Sequence, residues 1–367
     1  VIKAGKISLR LILFVHGLVL GAENWYQDSD SIIVQDIKNY SLVGIPLVYR
    51  LPETSWGFGG GGIYTVVPQK YDYGTRPTST QLAFSYTLLD QILFLAPFLY
   101  FSNNNKWQVY GELGYFRFIY DYYGIGNSQP NDFKELFTVE YPRIRVNALY
   151  NILPNQYLGL RYWMDDWTMI QNEGELASGQ IRGSQGGLIS GLGIIHTFDT
   201  RDKVFDARKG WLVETILLSN GSFLGSDFTY RKFIVDARKY LDLGSSHGLA
   251  INLYSEFTEG DPPFNGLAQM GGPRRMRGYY EGRFRDMNLI TYQMEYRFPI
   301  YWRFNGVLFG GIAAVDETYR FRGDIWRWSA GGGLRFTFDK QQRINIRMDY
   351  GITKESTGFY FTIGEAF

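Results

Sequence analysis

The chain has 367 residues, no Cys, a net charge of +1 and 17% aromatic residues (28 Tyr, 27 Phe, 9 Trp). Without Cys there are no disulfides or thiolate metal sites, which suits an oxidising compartment, and the balanced charge leaves no basic stripe for nucleic acid. No apolar run reaches the ~20 residues of a membrane helix, so a helical bundle is excluded; the Tyr and Trp abundance points instead to a β-barrel with aromatic girdles.

Lys3, Lys6 and Arg10 precede an apolar run at 11–22 (LILFVHGLVLGA), and polar, acidic sequence begins at Glu23. A positive start, a short apolar stretch and a small residue at the end read as a signal peptide over 1–22, too short for an anchor. Residues 23–44, with Asp28, Asp30 and Asp36, read as a periplasmic stub. They are too few for a folded domain. From 45 to 367 the text is strand, turn, strand.

Strands are expected at 45–52, 56–67, 79–88, 91–101, 106–121, 136–151, 155–167, 186–199, 210–219, 227–240, 248–258, 287–298, 303–315, 326–338, 342–352 and 357–367. That is sixteen, an even number as single-chain bacterial barrels require. In RINIRMDY, Ile344, Ile346, Met348 and Tyr350 share one face while Arg343, Asn345, Arg347 and Asp349 share the other. Ile290, Tyr292, Met294 and Tyr296 likewise oppose Thr291, Gln293, Glu295 and Arg297. A soluble sandwich shares this alternation, but its regular repetition to Phe367 favours a barrel, where the apolar face meets lipid and the charged face a wet lumen. On this parity Ile346→Arg is expected to be costly and Asn345→Arg tolerated. The stretch 357–367 puts Phe359, Phe361, Ile363 and Phe367 on the lipid face of a closing strand. Connections at 103–105, 154–155, 200–209 and 338–342 fall at the periplasmic end, and the longer ones at 122–132, 166–183 and 259–285 fall outside.

Two segments carry more than a generic barrel. FDTRDKVFDARKG at 198–210 lies between two strands, and MGGPRRMRGYYEGRFR at 270–285 lies in the longest external connection. The arginines of the second, interleaved with Tyr279, Tyr280 and Phe284, are superfluous in a solvated loop but suit a loop folded back into an acidic lumen. Arg277 can make a charge-assisted pair there, and Glu295, inward by parity, is its best partner. Glycines 271, 272, 278 and 282 permit positive φ and close approach. The Gly-rich run at 57–62 (GFGGGG) lacks the Lys and Ser/Thr of a phosphate loop and reads as a strand that excludes bulk. His16, His196 and His247 are too scattered for a metal site or a triad. Neither an enzyme, nor a metal, nor a cofactor is expected.

Together the two segments resemble the bacterial surface antigen superfamily, the BamA-like and two-partner-secretion translocases. Asp199, Arg201, Asp202 and Gly210 match the family turn D-x-R-D-x-x-x-x-P-x-x-G, with Ala207 near its Pro. Gly271, Gly272 and Met276-Arg277-Gly278-Tyr279 match the family loop G-G and V-R-G-[FY], with Met for Val. Arg347 to Tyr350 is similar to the R-x-D-[YF] run of the penultimate strand. The family's second lumen acid, in F-x-D-x-G, is missing from Phe309-Gly310-Gly311-Ile312-Ala313, so an acid introduced at Gly311 is expected to tighten the loop. The resemblance implies an all-β fold, a 16-stranded antiparallel transmembrane β-barrel with the long external loop in the lumen. It implies assembly or translocation of outer-membrane protein or lipid at a weak seam between first and last strands, marked by Pro46 and Phe367. Expected partners are outer-membrane lipid and periplasmic or outer-membrane proteins that supply POTRA-type capture modules, in the outer membrane of a Gram-negative cell. The competing reading is a passive pore or a structural subunit of a larger envelope complex.

Overall fold

The computed structural model describes residues 40–51, 55–66, 75–130 and 132–367. The expected signal peptide and the stub as far as residue 39 lie outside the described residues. The chain opens with β1 (Tyr40–Leu51), β2 (Ser55–Val66), β3 (Thr78–Thr87) and β4 (Ile92–Phe101). Next come β5 (Trp107–Tyr122), β6 (Glu135–Leu153) and β7 (Gln156–Asn172), then β8 (Gly186–Asp199), β9 (Gly210–Asn220), β10 (Tyr230–Gly244) and β11 (His247–Gly260). A long connection carries two short strands, β12 (Ala268–Met270) and β13 (Phe284–Asp286). The wall is completed by β14 (Asn288–Tyr301), β15 (Phe304–Asp316), β16 (Arg327–Asp339), β17 (Ile344–Ile352) and β18 (Thr357–Ile363).

The wall is one 16-stranded antiparallel sheet in strict chain order, interrupted only where β14 follows β11, while β12 and β13 pair with each other. Such a meander pairs the backbone of each strand with its neighbours, as a lipid-spanning structure requires. Among the described residues no helix is long and apolar enough to cross a membrane. The period-two alternation sets the faces. Leu160, Leu192, Ile194, Leu217, Phe233, Leu308 and Phe359 lie exposed on the outside. The charged inner face is paired: Asp165 takes Arg143 Nε at 2.8 Å and Arg145 Nη2 at 3.0 Å, and Glu256 takes Lys232. Exposed Trp107, Tyr150, Trp211, Tyr301 and Trp302 ring one end, where an aromatic girdle belongs.

The two ends differ. At the turn end β6 and β7 are joined by two residues, with Asn155 at φ +61°, and β14 and β15 turn at Trp302, φ +53°. These are tight hairpins of the positive-φ kind that match strand twist. At the loop end the connections 123–134, 173–185 and 261–287 are long. The expected sidedness of the connections is therefore self-consistent along the wall.

Several boundaries move. β1 starts at Tyr40 rather than 45 and pairs with β2 along its whole length, so the expected short first strand is a full one. Its alternation already runs through Tyr40 and Leu42 outside and Val43 inside. Pro46, opposite Gly60, sits on this edge strand, where a missing N–H is tolerated. β18 stops at Ile363, because Gly364 turns the chain at φ +90°. Phe367 is consequently not on the lipid face of the seam. It is buried with Ala207, Tyr240, Ala250 and Ala366. Ile344, expected outside, is also buried, since the β16–β17 register slips between Thr337 and Asp339 and Arg343 takes φ +56°. The sheet edges β1 and β18 come together through side chains. Val43, Ile63 and Ile344 form a buried cluster with Ile45, Phe205 and Ile363 packed on it.

Candidate functional site: the loop held in the lumen

The connection 261–287 turns back into the barrel. Its stem is the β12–β13 pair, with Ala268 opposite Asp286 and Met270 opposite Phe284. Phe264 anchors the descending limb, meeting Tyr122, Phe137 and Trp167 edge-on at centroid distances of 5.6, 5.4 and 6.1 Å. Met270, Met276, Tyr279 and Phe284 are buried in one core with wall residues Leu149, Ile195, Ile216, Ile234 and Leu289. The lumen is thus filled by its own loop.

Close approach at the tip needs two glycines. Gly278 has φ +110°, and a Cβ there would stand 2.7 Å from Thr353 Cγ2. Opposite it on β17, a Cβ on Gly351 would meet the Arg277 carbonyl carbon and the Gly278 nitrogen, both at 2.7 Å. Met276 keeps φ +80° without being glycine, a strained conformation that persists only when its surroundings fix it. Here its N–H donates to Gln293 Oε1 at 3.2 Å. The Gly278 N–H donates to Tyr360 Oη at 2.9 Å, Tyr360 Oη donates to the Tyr279 carbonyl at 3.2 Å, and Ser356 Oγ donates to the Gly278 carbonyl at 2.8 Å.

Arg277 is the centre of the site and is 1% exposed. Its Nη2 lies 2.8 Å from Glu295 Oε2 on β14, and its Nη1 donates to Asp349 Oδ2 on β17 at 2.6 Å. The Phe309 ring of β15 lies 3.6 Å from Cζ, so the cation also faces a π-surface. The contact to Glu295 is an ion pair without an aligned N–H, since both Nη2 and Oε2 lack a hydrogen-bond partner. Each acid has further cations. Glu295 holds Arg297 Nε at 2.8 Å, and Asp349 holds Arg335 Nη1 at 2.5 Å. Arg335 in turn donates from Nε to Glu365 Oε2 at 2.8 Å. Buried charges persist only when paired and hydrogen-bonded in this way.

The structure brings Met276, Arg277, Gly278, Tyr279 and Glu295 together. It separates them from the turn motif, which lies at the turn end. There the Asp199 carboxylate accepts from Arg201 Nε at 3.0 Å and Nη2 at 2.8 Å, and also pairs with Arg76. Gly210 holds φ +105°, where a Cβ would stand 2.2 Å from the Thr200 carbonyl oxygen. The absent acid of the β15 pattern is replaced from elsewhere. Asp349, two strands further along the wall, faces Arg277 instead, and Gly311 has no room for an acid: a Cβ there would meet Tyr292 O at 2.7 Å and Gln293 Cγ at 3.0 Å. Asp349 belonged to a matched run and was inward by parity, but spacing alone did not assign it to Arg277. Asn345 is inward too, yet its amide donates to Asp206 Oδ2 at 3.2 Å and Glu365 Oε1 at 2.7 Å.

The fold and site define an outer-membrane β-barrel whose lumen carries an internal arginine-anchored loop. The chain belongs to the Omp85 superfamily: the model of the Omp85 superfamily domain matches residues 73–367. Among solved structures it is similar to BamA from Haemophilus ducreyi lacking POTRA domains 1–3, at 14% identity and a TM-score of 0.54, covering 89% of this chain and 70% of that one. It is similar to CdiB from Acinetobacter baumannii at 10% identity and a TM-score of 0.55, covering 88% of this chain and 59% of that one. For CdiB from Escherichia coli the identity is 10% and the TM-score 0.55, covering 88% and 62% of the two chains. The chain thus spans less than two thirds of either CdiB. No curated protein matches the sequence.

Proposed function

We propose that this barrel assembles or translocates outer-membrane protein or lipid at its seam, together with envelope partners, and performs no enzymatic chemistry. The observation that carries this reading is the filled lumen. A passive pore needs a wet path, whereas here the loop tip is anchored on Glu295 and Asp349 and the loop-end mouth is packed with Phe264, Tyr122, Phe137 and Trp167. The seam is the other half of the argument. Strand pairing runs from β1 to β18 with no ladder between those edges among the described residues, so an incoming strand finds unpaired backbone there. Adding a strand to such an edge is a general mode of peptide recognition. The BamA structure is described as lacking POTRA domains 1–3 of that protein. We propose that modules of that kind, on this polypeptide or a partner, deliver the client, and that the signal-like start directs export.

The test is a reconstitution. In vesicles of outer-membrane lipid, an unfolded small β-barrel should fold faster with this protein and its envelope partners than in empty vesicles. No acceleration, combined with steady wide conductance of the protein alone, would favour the passive pore.

A further inference from the structure

The turn motif at 200–209 takes no part in the loop site. β8 and β9, which it joins, are the eighth and ninth of sixteen strands, so their hairpin faces the seam from across the lumen. Yet the turn touches the seam from both sides. On one side Arg76, from the β2–β3 connection, pairs with buried Asp199. On the other, Arg343, just before β17, donates from Nη1 to Asp202 Oδ2 at 2.7 Å, and Asn345 of β17 donates to Asp206 Oδ2 at 3.2 Å. Arg297 of β14 adds a third tie, Nη1 to Asp206 Oδ1 at 2.9 Å.

Between these ties sits an apolar residue. Phe205 packs on the cluster of Val43 and Ile45 from β1, Ile63 from β2, Ile344 from β17 and Ile363 from β18. A turn ordinarily presents polar groups to water, and the inner wall is otherwise apolar mainly where the lumen loop packs on it. Here both are apolar at one place, where two sheet edges lack a ladder. The turn is stiff enough to hold that position. Asp202 Oδ1 accepts from the Arg208 and Lys209 amides at 2.8 and 3.1 Å. Burial alone would raise the Asp202 carboxyl; the Arg208 amide, the Arg343 side chain and the Lys209 amide outweigh it and hold it below the usual range.

We propose that the β8–β9 turn is a strap across the lumen that clasps the seam at the turn end. Phe205 is the pin, and Asp199, Asp202 and Asp206 are the ties. The strap deepens the seam reading above and rests on it: the seam opens at this end when Phe205 leaves the cluster. Asp199 and Asp202 belong to the motif matched in sequence; Phe205 and the seam residues it touches do not.

Because the chain has no Cys, single thiols report cleanly. Val43→Cys places one in the cluster at a site 3% exposed, and Leu149→Cys places a control on the wall at β6, 0% exposed. Folded protein, verified by heat-modifiable mobility, is treated with a bulky maleimide. Phe205→Ala should speed modification at Val43→Cys by about tenfold or more, as local opening becomes easier, and leave Leu149→Cys unchanged. Phe205→Leu should restore the slow rate. If Phe205→Ala does not fold, Arg343→Gln removes a tie without touching the cluster and should have the same effect. An unchanged rate at Val43→Cys, or equal acceleration at both thiols, overturns the strap. The assay needs no client. A strap that behaves so in a protein that speeds no client folding would refute the proposed function alone, and the reverse result would refute the strap alone.

Discussion

Removing the Arg277 guanidinium should loosen the loop without unfolding the barrel. Breaking a buried ion pair by deleting one partner costs about 3–5 kcal/mol, because the charge left behind is uncompensated. Here each acid keeps another cation, Glu295 with Arg297 Nε at 2.8 Å and Asp349 with Arg335 Nη1 at 2.5 Å. Arg335 Nη2 also lies 3.7 Å from Glu295 and Arg347 Nε 3.6 Å from Asp349, so the loss of one of three cations at both acids, plus the contact with Phe309, leaves about 2–3 kcal/mol for Arg277→Ala. The assay is amide exchange at Gly278, whose N–H donates to Tyr360 Oη at 2.9 Å. An opening made easier by that amount speeds exchange by about 30- to 150-fold. Combining Arg277→Ala with Glu295→Ala should cost less than the sum of the singles, with a coupling of about 1–2 kcal/mol. Unchanged exchange, or strictly additive single variants, would refute the account of the site.

Gly311→Asp should destabilise the loop rather than tighten it, since its Cβ would crowd Tyr292 O and Gln293 Cγ; slower exchange at Gly278 in this variant would contradict that. Leu308→Arg, on the lipid face of β15, should cost about 2–4 kcal/mol in a folding titration if it lies near the bilayer midplane, and no measurable cost would mean the faces are reversed. Asp286, in the loop stem, has its carboxyl pushed up to about 6 by burial, with Glu317 and Asp316 adding to the effect. A raised carboxylate contributes stability below the unfolded value near ~3.9 and loses it as pH rises through the folded one, so Asp286→Asn should raise the melting midpoint at about pH 8 and not at about pH 4. An equal gain at both would sink the assignment. Extracted from native membrane, the protein should fractionate with the outer membrane and begin near Glu23; a soluble periplasmic protein would contradict the reading.

Alternation at period two made the wall legible, because one face must meet lipid and the other water. It sees faces better than ends. Tyr40 to Gly44 alternates as well as the residues after it, but acidic polar sequence just upstream obscured the start of β1. At the other edge Glu365 already breaks the apolar face after Ile363, and with the positive φ of Gly364 Phe367 goes into the lumen. Glu295 could be placed because parity and a loop motif converged on it. Asp349 could not be assigned to Arg277, because which inward acid faces the tip depends on how far the loop descends, and no sequence spacing measures that. The strap is a stronger case: reach across a lumen leaves no trace in sequence, except that Phe205 is apolar where a turn should be polar.

The central claim is that work is done at the seam, outside a plugged lumen. Photo-cross-linking groups placed at Leu42 on β1, Phe361 on β18, Leu217 on β9 and Arg161 inside the barrel would be irradiated while a radiolabelled client barrel folds in the reconstituted vesicles. The account predicts client adducts at Leu42 and Phe361 and none at Leu217 or Arg161. Adducts at Arg161 without any at Leu42 or Phe361 would place the client in the lumen and contradict it.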